Sequence, residues 1–494
     1  MQTTLTDENR PWRLALALVA ALTVLRLVVL FATPLELYPD EAQYWLWSRE
    51  LDFGYFSKPP MIAWLIALTT GIGGNEEPLV RLAAPLLHAG TALALFGVGR
   101  KLYGAGTGLA ACAVYSLMPG VQLSSGVIST DAPLLFFLSL ALLAYVHLPS
   151  RRAALGLGVA LGLAMLSKYA AAYAVGGIVL HVLVSREARL AWSLPALALS
   201  VLAFLLVLVP NLIWNAAHDF ATLEHTASNA HWASELGGLP ELGDFLGSQF
   251  GVFGPVPFAV LTGGAVVLAA RRRLSREDAL LLCWALPPLI AVAAQAFISR
   301  ANANWAASAY VAGSVLAAAW LLRWRARWWL VGGLGVQAVV AALFLVWVAD
   351  PRIADRMGAS NSFKRAKGWE QTVEAITDRA ARERDLTAVA VDDRFLFNAA
   401  AYYGRDYFGS PGAAPLTMWV SSGHAQNQAE AEAPLTPALG GRVLAASLEG
   451  TYRERMAADF DRAAVVEIAR IRLDPKRTRR VELLIGETFQ PKPR

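Results

Sequence analysis

The chain of 494 residues is 56% hydrophobic and 16% charged, with a mean hydropathy of +0.44 and a formal net charge of +5. Soluble globular chains carry roughly a quarter charged residues, so the composition excludes an ordinary soluble domain and defines a polytopic α-helical membrane protein. Basic residues lie between apolar runs rather than along a stripe, which argues against a nucleic-acid partner. Cys112 and Cys283 both fall inside apolar runs, which argues against a disulfide framework.

Apolar stretches predict membrane spans at approximately 12–33, 80–100, 106–120, 131–148, 153–167, 169–184, 190–211, 248–270, 278–298, 304–322 and 327–349, about eleven in all. The first is too long for a signal-peptide core and no small-x-small cleavage site follows it, so it reads as an uncleaved span. Alternate connections carry Arg100-Lys101, Arg151-Arg152, Arg186 with Arg189, Arg271-Arg272-Arg273 with Arg276, and Arg323, Arg325 and Arg327. The positive-inside bias places these in the cytoplasm. The opposite set is almost free of Lys and Arg, and the connection 211–247 contains none. On that external face, ahead of residue 350, the basic residues are Arg49, Lys58, Arg81, Lys168 and Arg300. A cation kept where topology disfavours it suits an anionic ligand; the plain alternative is snorkelling to lipid headgroups.

The segment 1–349 is thus expected to be the membrane domain, with a first external loop at 34–79. Residues 350–494 hold about half of all Lys and Arg, nearly balanced by acids. Strands are predicted at 386–391, 442–446, 464–473 and 479–485, with helices at 394–403 and 453–461 and a polar, mobile loop at 421–433. This is a small α/β domain, and an odd number of spans puts it on the same external side as the first loop.

That first loop is the most loaded stretch: Tyr38-Pro39-Asp40-Glu41-Ala42-Gln43-Tyr44-Trp45, then Tyr55-Phe56-Ser57-Lys58-Pro59-Pro60. Asp40 suits the N-cap of a helix 41–51, and one of the adjacent carboxylates Asp40 and Glu41 suits a general base in a poorly solvated site. A second external acid, Asp131, opens the fourth span, as an N-cap or as a partner to the first loop. The connection 211–250 brings His218-Asp219, Glu224-His225 and His231-Trp232 without any strict metal spacing, so a polar loop is the favoured reading there. Arg300 with Asn304 and Trp305, before the tenth span, suits sugar or phosphate contact, although Trp305 also fits an aromatic belt.

These motifs, together with Thr130-Asp131-Ala132-Pro133, Leu166-Ser167-Lys168-Tyr169 and Ala303-Asn304-Trp305-Ala306, resemble glycosyltransferase family 39. The resemblance is to its bacterial branch, related to protein O-mannosyltransferases, the lipid A aminoarabinose transferase and the rhizobial lipid A galacturonosyltransferases. It implies a GT-C fold in the inner membrane. It also implies a polyprenyl-phosphate-linked sugar donor, an acceptor such as lipid A, another envelope glycan or a protein, and inversion at the anomeric carbon. Carried over by motif, Asp40 is the catalytic carboxylate, Asp131 the second acid and Lys58 the donor-phosphate contact. Glu41 stays a further catalytic candidate, and Tyr44, Tyr55, Arg81, Lys168, His225, Arg300, Asn304 and Trp305 are the expected substrate contacts. In the aminoarabinose transferase a metal-binding glutamate precedes the Lys-Pro-Pro lysine. Here that residue is Ser57, so no cofactor is firmly implied, although a divalent cation stays open. The competing class is a transporter or flippase, which would place its charges near the bilayer midplane on broken, repeated helices.

Overall fold

The computed structural model describes residues 9–228, 238–448 and 450–493. An apolar helix lies over each of the eleven predicted stretches. Five of them, Arg10–Ala32, Glu77–Tyr103, Leu194–Ala217, Arg276–Ile298 and Arg327–Ala349, have the length and composition to cross a bilayer. The others are shorter, and a further apolar helix, Met61–Gly73, lies inside what the sequence assigns to the first external loop. The stretch 248–270 is two helices, Leu239–Val252 and Pro255–Ala270. The break falls at Gly254, whose φ of 99° excludes most side chains and where a Cβ would stand 2.6 Å from the Gln337 amide.

One large apolar core runs through the bundle, from Ala15 and Val19 to Leu330. Above it, the helix Pro39–Trp47 forms a second, smaller core from Ala42, Tyr44, Trp45 and Trp47 with Ile62, Ile66 and Tyr402. The loop that follows this helix is clamped from the side. Trp214 donates to Asp52 (2.6 Å) and Asn211 to the Phe53 carbonyl (2.6 Å), and only a glycine at position 54 leaves room for the Trp214 ring.

The C-terminal region is a five-stranded mixed sheet. Its strands are β1 (Ala388–Val391), β2 (Leu416–Met418), β3 (Arg442–Ser447), β4 (Phe460–Asp474) and β5 (Arg477–Phe489), in the order β2-β1-β3-β5-β4. β1 pairs in parallel with β2 and β3, whereas β5 runs antiparallel between β3 and β4. The predicted helix Arg394–Tyr403 is present as expected. The helix expected at 453–461 is instead Gly450–Ala457, because Phe460 already pairs with Phe489 in the sheet. The helix Trp369–Arg382 and the short β2 were not anticipated, and the stretch 421–433 contains the helix Gln428–Glu432.

Helix Arg394–Tyr403 packs directly on the loop helix Pro39–Trp47. Tyr402 meets Trp45 edge to face at 4.9 Å and donates to the Asn75 carbonyl (2.5 Å), and the Tyr403 hydroxyl accepts from the Leu37 amide (2.8 Å). Leu46 packs against both the loop-helix core and the core of the sheet domain, which is built on Val389, Val391, Leu444 and Leu483. The first loop is therefore sandwiched between the bundle and the sheet domain.

Candidate functional site

The loop helix starts two residues earlier than the sequence suggests, with Tyr38 as N-cap, Pro39 in the first turn and an end at Trp47 rather than Leu51. Glu41, not Asp40, does the capping: its carboxylate accepts from the Tyr38 amide (2.9 Å). The same fully buried carboxylate takes the Arg81 guanidinium (2.8 Å) and the Ile128 amide (2.8 Å). Arg81, 2% exposed, spends its remaining donors on the Leu35 and Glu36 carbonyls (2.9 and 2.7 Å). Glu41, expected as a catalytic candidate, and Arg81, expected as a ligand contact, thus face each other in the structure. Each satisfies the other and the backbone, and nearly all their hydrogen-bonding capacity is used within the fold.

Asp40, relieved of capping, is exposed rather than enclosed, and its carboxylate makes no hydrogen bond or ion pair among the described residues. Its charge is felt by Lys58 and by Tyr44. Asp131 is the first residue of helix Asp131–Tyr145 but does not cap it. Its two oxygens instead accept from Lys168 Nζ (2.7 Å) and Asn304 Nδ2 (2.6 Å). Three residues from three separate sequence motifs meet there, and the pair remains partly accessible, at 25% for the Lys168 side chain and 11% for Asp131.

Lys58 completes the cluster. It is half-buried, and its ammonium has no hydrogen bond or ion pair among the described residues. Burial, with Lys168 and Arg394 adding like charge, lowers its pKa against the pull of Asp40 and Asp131. An unpartnered, poorly solvated cation beside two carboxylates is a ready contact for an anion that brings its own negative charge. His225 lies near Lys58 with its ring 6.0 Å from Phe56, and burial followed by the charges of Lys58 and Arg394 brings its pKa down to about 4. His225 is thus a neutral imidazole at ordinary pH. The helix Ala221–Ser228 carries it, whereas His231 and Trp232 lie outside the described residues.

Other expectations distribute differently. Tyr44 is buried, with a pKa raised well above the usual phenol value by burial and then by the charges of Asp40 and Asp131. Tyr55 is not free for a substrate. Its ring stacks on Trp47 at 4.8 Å, and its hydroxyl donates to the Trp47 and Glu50 carbonyls (both 3.0 Å), closing the turn. Trp305 packs its ring against the bundle core, and Arg300 is exposed with no partner among the described residues. Arg49 is held by Thr70 (2.6 Å) and Asn75 (3.1 Å). Among the described residues no group of three or more His, Cys, Asp or Glu is placed to hold a metal.

Sequence reading missed Arg394. It follows β1 through Asp392 and Asp393 and opens the helix packed on the first loop, and its charge reaches Lys58, Tyr44 and His225. The signal was present: a charged residue at a strand-to-helix junction of an α/β sheet is where such folds hold ligands.

An apolar bundle with a loaded loop and an attached sheet domain is the GT-C architecture of polytopic membrane glycosyltransferases. Solved structures share it: ArnT from Cupriavidus metallidurans matches with a TM-score of 0.66 at 19% identity over 97% of this chain and 100% of its own. The same protein bound to undecaprenyl phosphate matches with 0.65. An oligosaccharyltransferase of Archaeoglobus fulgidus matches with 0.51 at 14% identity, over 79% of this chain and 63% of its own. The resemblance to glycosyltransferase family 39 is also borne out. Residues 57–214, which include Lys58, Asp131 and Lys168, match the family described as dolichyl-phosphate-mannose-protein mannosyltransferase. The lipid A galacturonosyltransferase RgtD of Rhizobium johnstonii is 42% identical over 315 residues, which span 63% of this chain and 66% of that protein.

Proposed function

We propose that this multi-pass membrane protein transfers a sugar from a polyprenyl-phosphate carrier to lipid A, at the external face of the bacterial inner membrane. The observation that carries this reading is the meeting of an unpartnered carboxylate, Asp40, and an unpartnered ammonium, Lys58, beside the Asp131–Lys168–Asn304 cluster. The name of the 42%-identical relative extends the proposal to galacturonic acid as the sugar.

The acceptor hydroxyl oxygen attacks the anomeric carbon from the face opposite the phosphate and inverts it. Its proton passes to the Asp40 carboxylate, the bond from anomeric carbon to phosphate oxygen breaks, and the electron pair leaves with the polyprenyl phosphate. Lys58 stabilises that growing negative charge, which is worth more in a poorly solvated site than in water. Asp131 holds Lys168 at the site and is held itself by Asn304. The external orientation rests on the Arg and Lys bias of the opposite connections, with the sheet domain packed on the first loop and so on its side. A transporter would place its charges near the midplane on repeated helices; the charged groups here gather instead around Lys58 of the first loop.

The test is transfer by purified protein in detergent, with polyprenyl-phosphate galacturonate and lipid A as substrates and mass spectrometry of the product. Carrier-dependent addition of one uronic acid is the expected result. No addition to any acceptor, with intact folded protein, would sink the reading.

A further inference from the structure

The phosphate accounts for Lys58 and leaves a second cation whose charge reaches it, Arg394, without a ligand. Arg394 is half-buried, lies 4.8 Å over the Phe395 ring, and its guanidinium has no hydrogen bond or ion pair among the described residues. It stands at the carboxyl end of β1, where the chain leaves toward β2 on one side and later returns to β3 on the other. That reversal of strand order opens the crevice in which open α/β sheets bind ligands.

The crevice is not closed by the domain itself. It faces the loop helix, and the two together enclose a cavity of about 220 Å³ lined by Gln43, Arg49, Glu50, Arg394, Asn398 and Gln428, among others. Side-chain amides on both walls suit sugar hydroxyls, since each offers a donor and an acceptor. Of the two arginines, Arg49 is already committed to Thr70 and Asn75, which leaves Arg394 as the lining cation with a free fork.

Lys58 and Arg394 repel each other, so a single anion between them would be one use for the pair. Their placement argues for two. Lys58 stands three residues ahead of the apolar helix Met61–Gly73, the position a phosphate tethered to a lipid tail can reach. Arg394 belongs to the sheet domain, on the far side of the loop helix from the bundle. A lipid-linked uronic acid carries two negative charges, one on the phosphodiester and one on the sugar carboxylate. A planar carboxylate is the partner that a guanidinium fork binds in bidentate fashion.

We propose that Arg394 binds the carboxylate of an acidic sugar seated in the cavity between the loop helix and the sheet domain, and thereby sets the sugar specificity of the transferase. The assignment rests on the lipid-linked donor proposed above. It makes the C-terminal domain part of the substrate site rather than an appendage.

The test compares three ligands, polyprenyl-phosphate galacturonate, polyprenyl-phosphate galactose and polyprenyl phosphate alone, on wild type, Arg394→Ala and Arg394→Lys. Binding is measured separately from transfer. Wild type should favour the acidic donor, and Arg394→Ala should lose about ten- to hundredfold in affinity for it, the loss typical of a charge-assisted bidentate contact. The same variant should bind the galactose donor and bare polyprenyl phosphate as wild type does, which also shows that it has folded. Arg394→Lys should recover part of the preference. Equal binding of both sugar donors by wild type would overturn the proposal. So would an equal loss of bare polyprenyl phosphate binding in Arg394→Ala, which would make Arg394 a phosphate ligand. Preference without transfer would sink the transferase reading alone, and transfer without preference would sink the role of Arg394 alone.

Discussion

Two acid–base pairs hold the site, and they serve opposite ends. Glu41–Arg81 is fully enclosed, and every oxygen and nearly every guanidinium donor has a partner in the first loop or its neighbours. Asp131–Lys168 is as short, at 2.7 Å, yet it is partly open, and its third member, Asn304, arrives from a distant motif. Charge and distance are alike in the two pairs, so burial and the count of other partners separate them. A buried pair with no spare lone pair locks the backbone around it. A partly open pair can exchange one partner for a ligand at small cost.

The first way to break this contrast is Glu41→Ala. Leaving Arg81 buried without its acid should cost about 3–5 kcal/mol of stability, read as a large fall in the melting temperature in detergent. Asp131→Asn should cost about 1 kcal/mol or less in the same measurement while lowering turnover. Equal destabilisation by the two variants would erase the distinction between lock and site.

Asp40→Asn tests the neighbour of the lock. Because Asp40 holds up no contact among the described residues, the variant should melt like wild type. Its transfer rate should fall by about a hundredfold or more, the usual contribution of a general base. Near-normal turnover would remove Asp40 and turn attention to Asp131.

Lys58 sharpens the comparison from the cationic side. Lys58→Ala should lose about 1.5–3 kcal/mol of transition-state stabilisation, visible in initial rates against donor concentration, with turnover falling as well as donor affinity. Lys58→Arg should restore charge and only part of the rate, since a planar fork replaces a compact ammonium. Identical kinetics for all three proteins would mean that Lys58 only anchors the loop in the headgroups.

The smallest effect is expected in the sheet domain. Burial pushes the Asp392 carboxyl from 3.8 up to about 7, against the hydrogen bond it accepts from Ser447. The folded domain therefore keeps a proton that the unfolded chain has released. That contribution to stability is complete below about 4 and is lost as pH rises through about 7. Asp392→Asn should flatten the decline in melting temperature across this window. An unchanged pH profile would place the titration elsewhere.

The sequence alone was enough for the membrane class, the positions of the apolar helices and much of the sheet domain. Those features are written in local hydropathy and in period-two or helical patterns along the chain. It also named Asp40, Lys58, Asp131, Lys168 and Asn304, because their motifs resemble a family. It could not divide labour between adjacent residues. Asp40 and Glu41 look interchangeable in the chain, and only the tertiary arrangement, with Arg81 forty positions away and the Ile128 amide beyond it, makes one a lock and leaves the other free. Tyr55 is a similar case, since its hydroxyl closes a turn that no local pattern announces. Arg394 lies more than three hundred residues from Lys58 in sequence. Its place beside the first loop depends on how Trp45, Leu46 and Tyr402 pack the sheet domain onto that loop. Contacts of that range are fixed by shape and burial across the whole fold, and sequence spacing carries no trace of them.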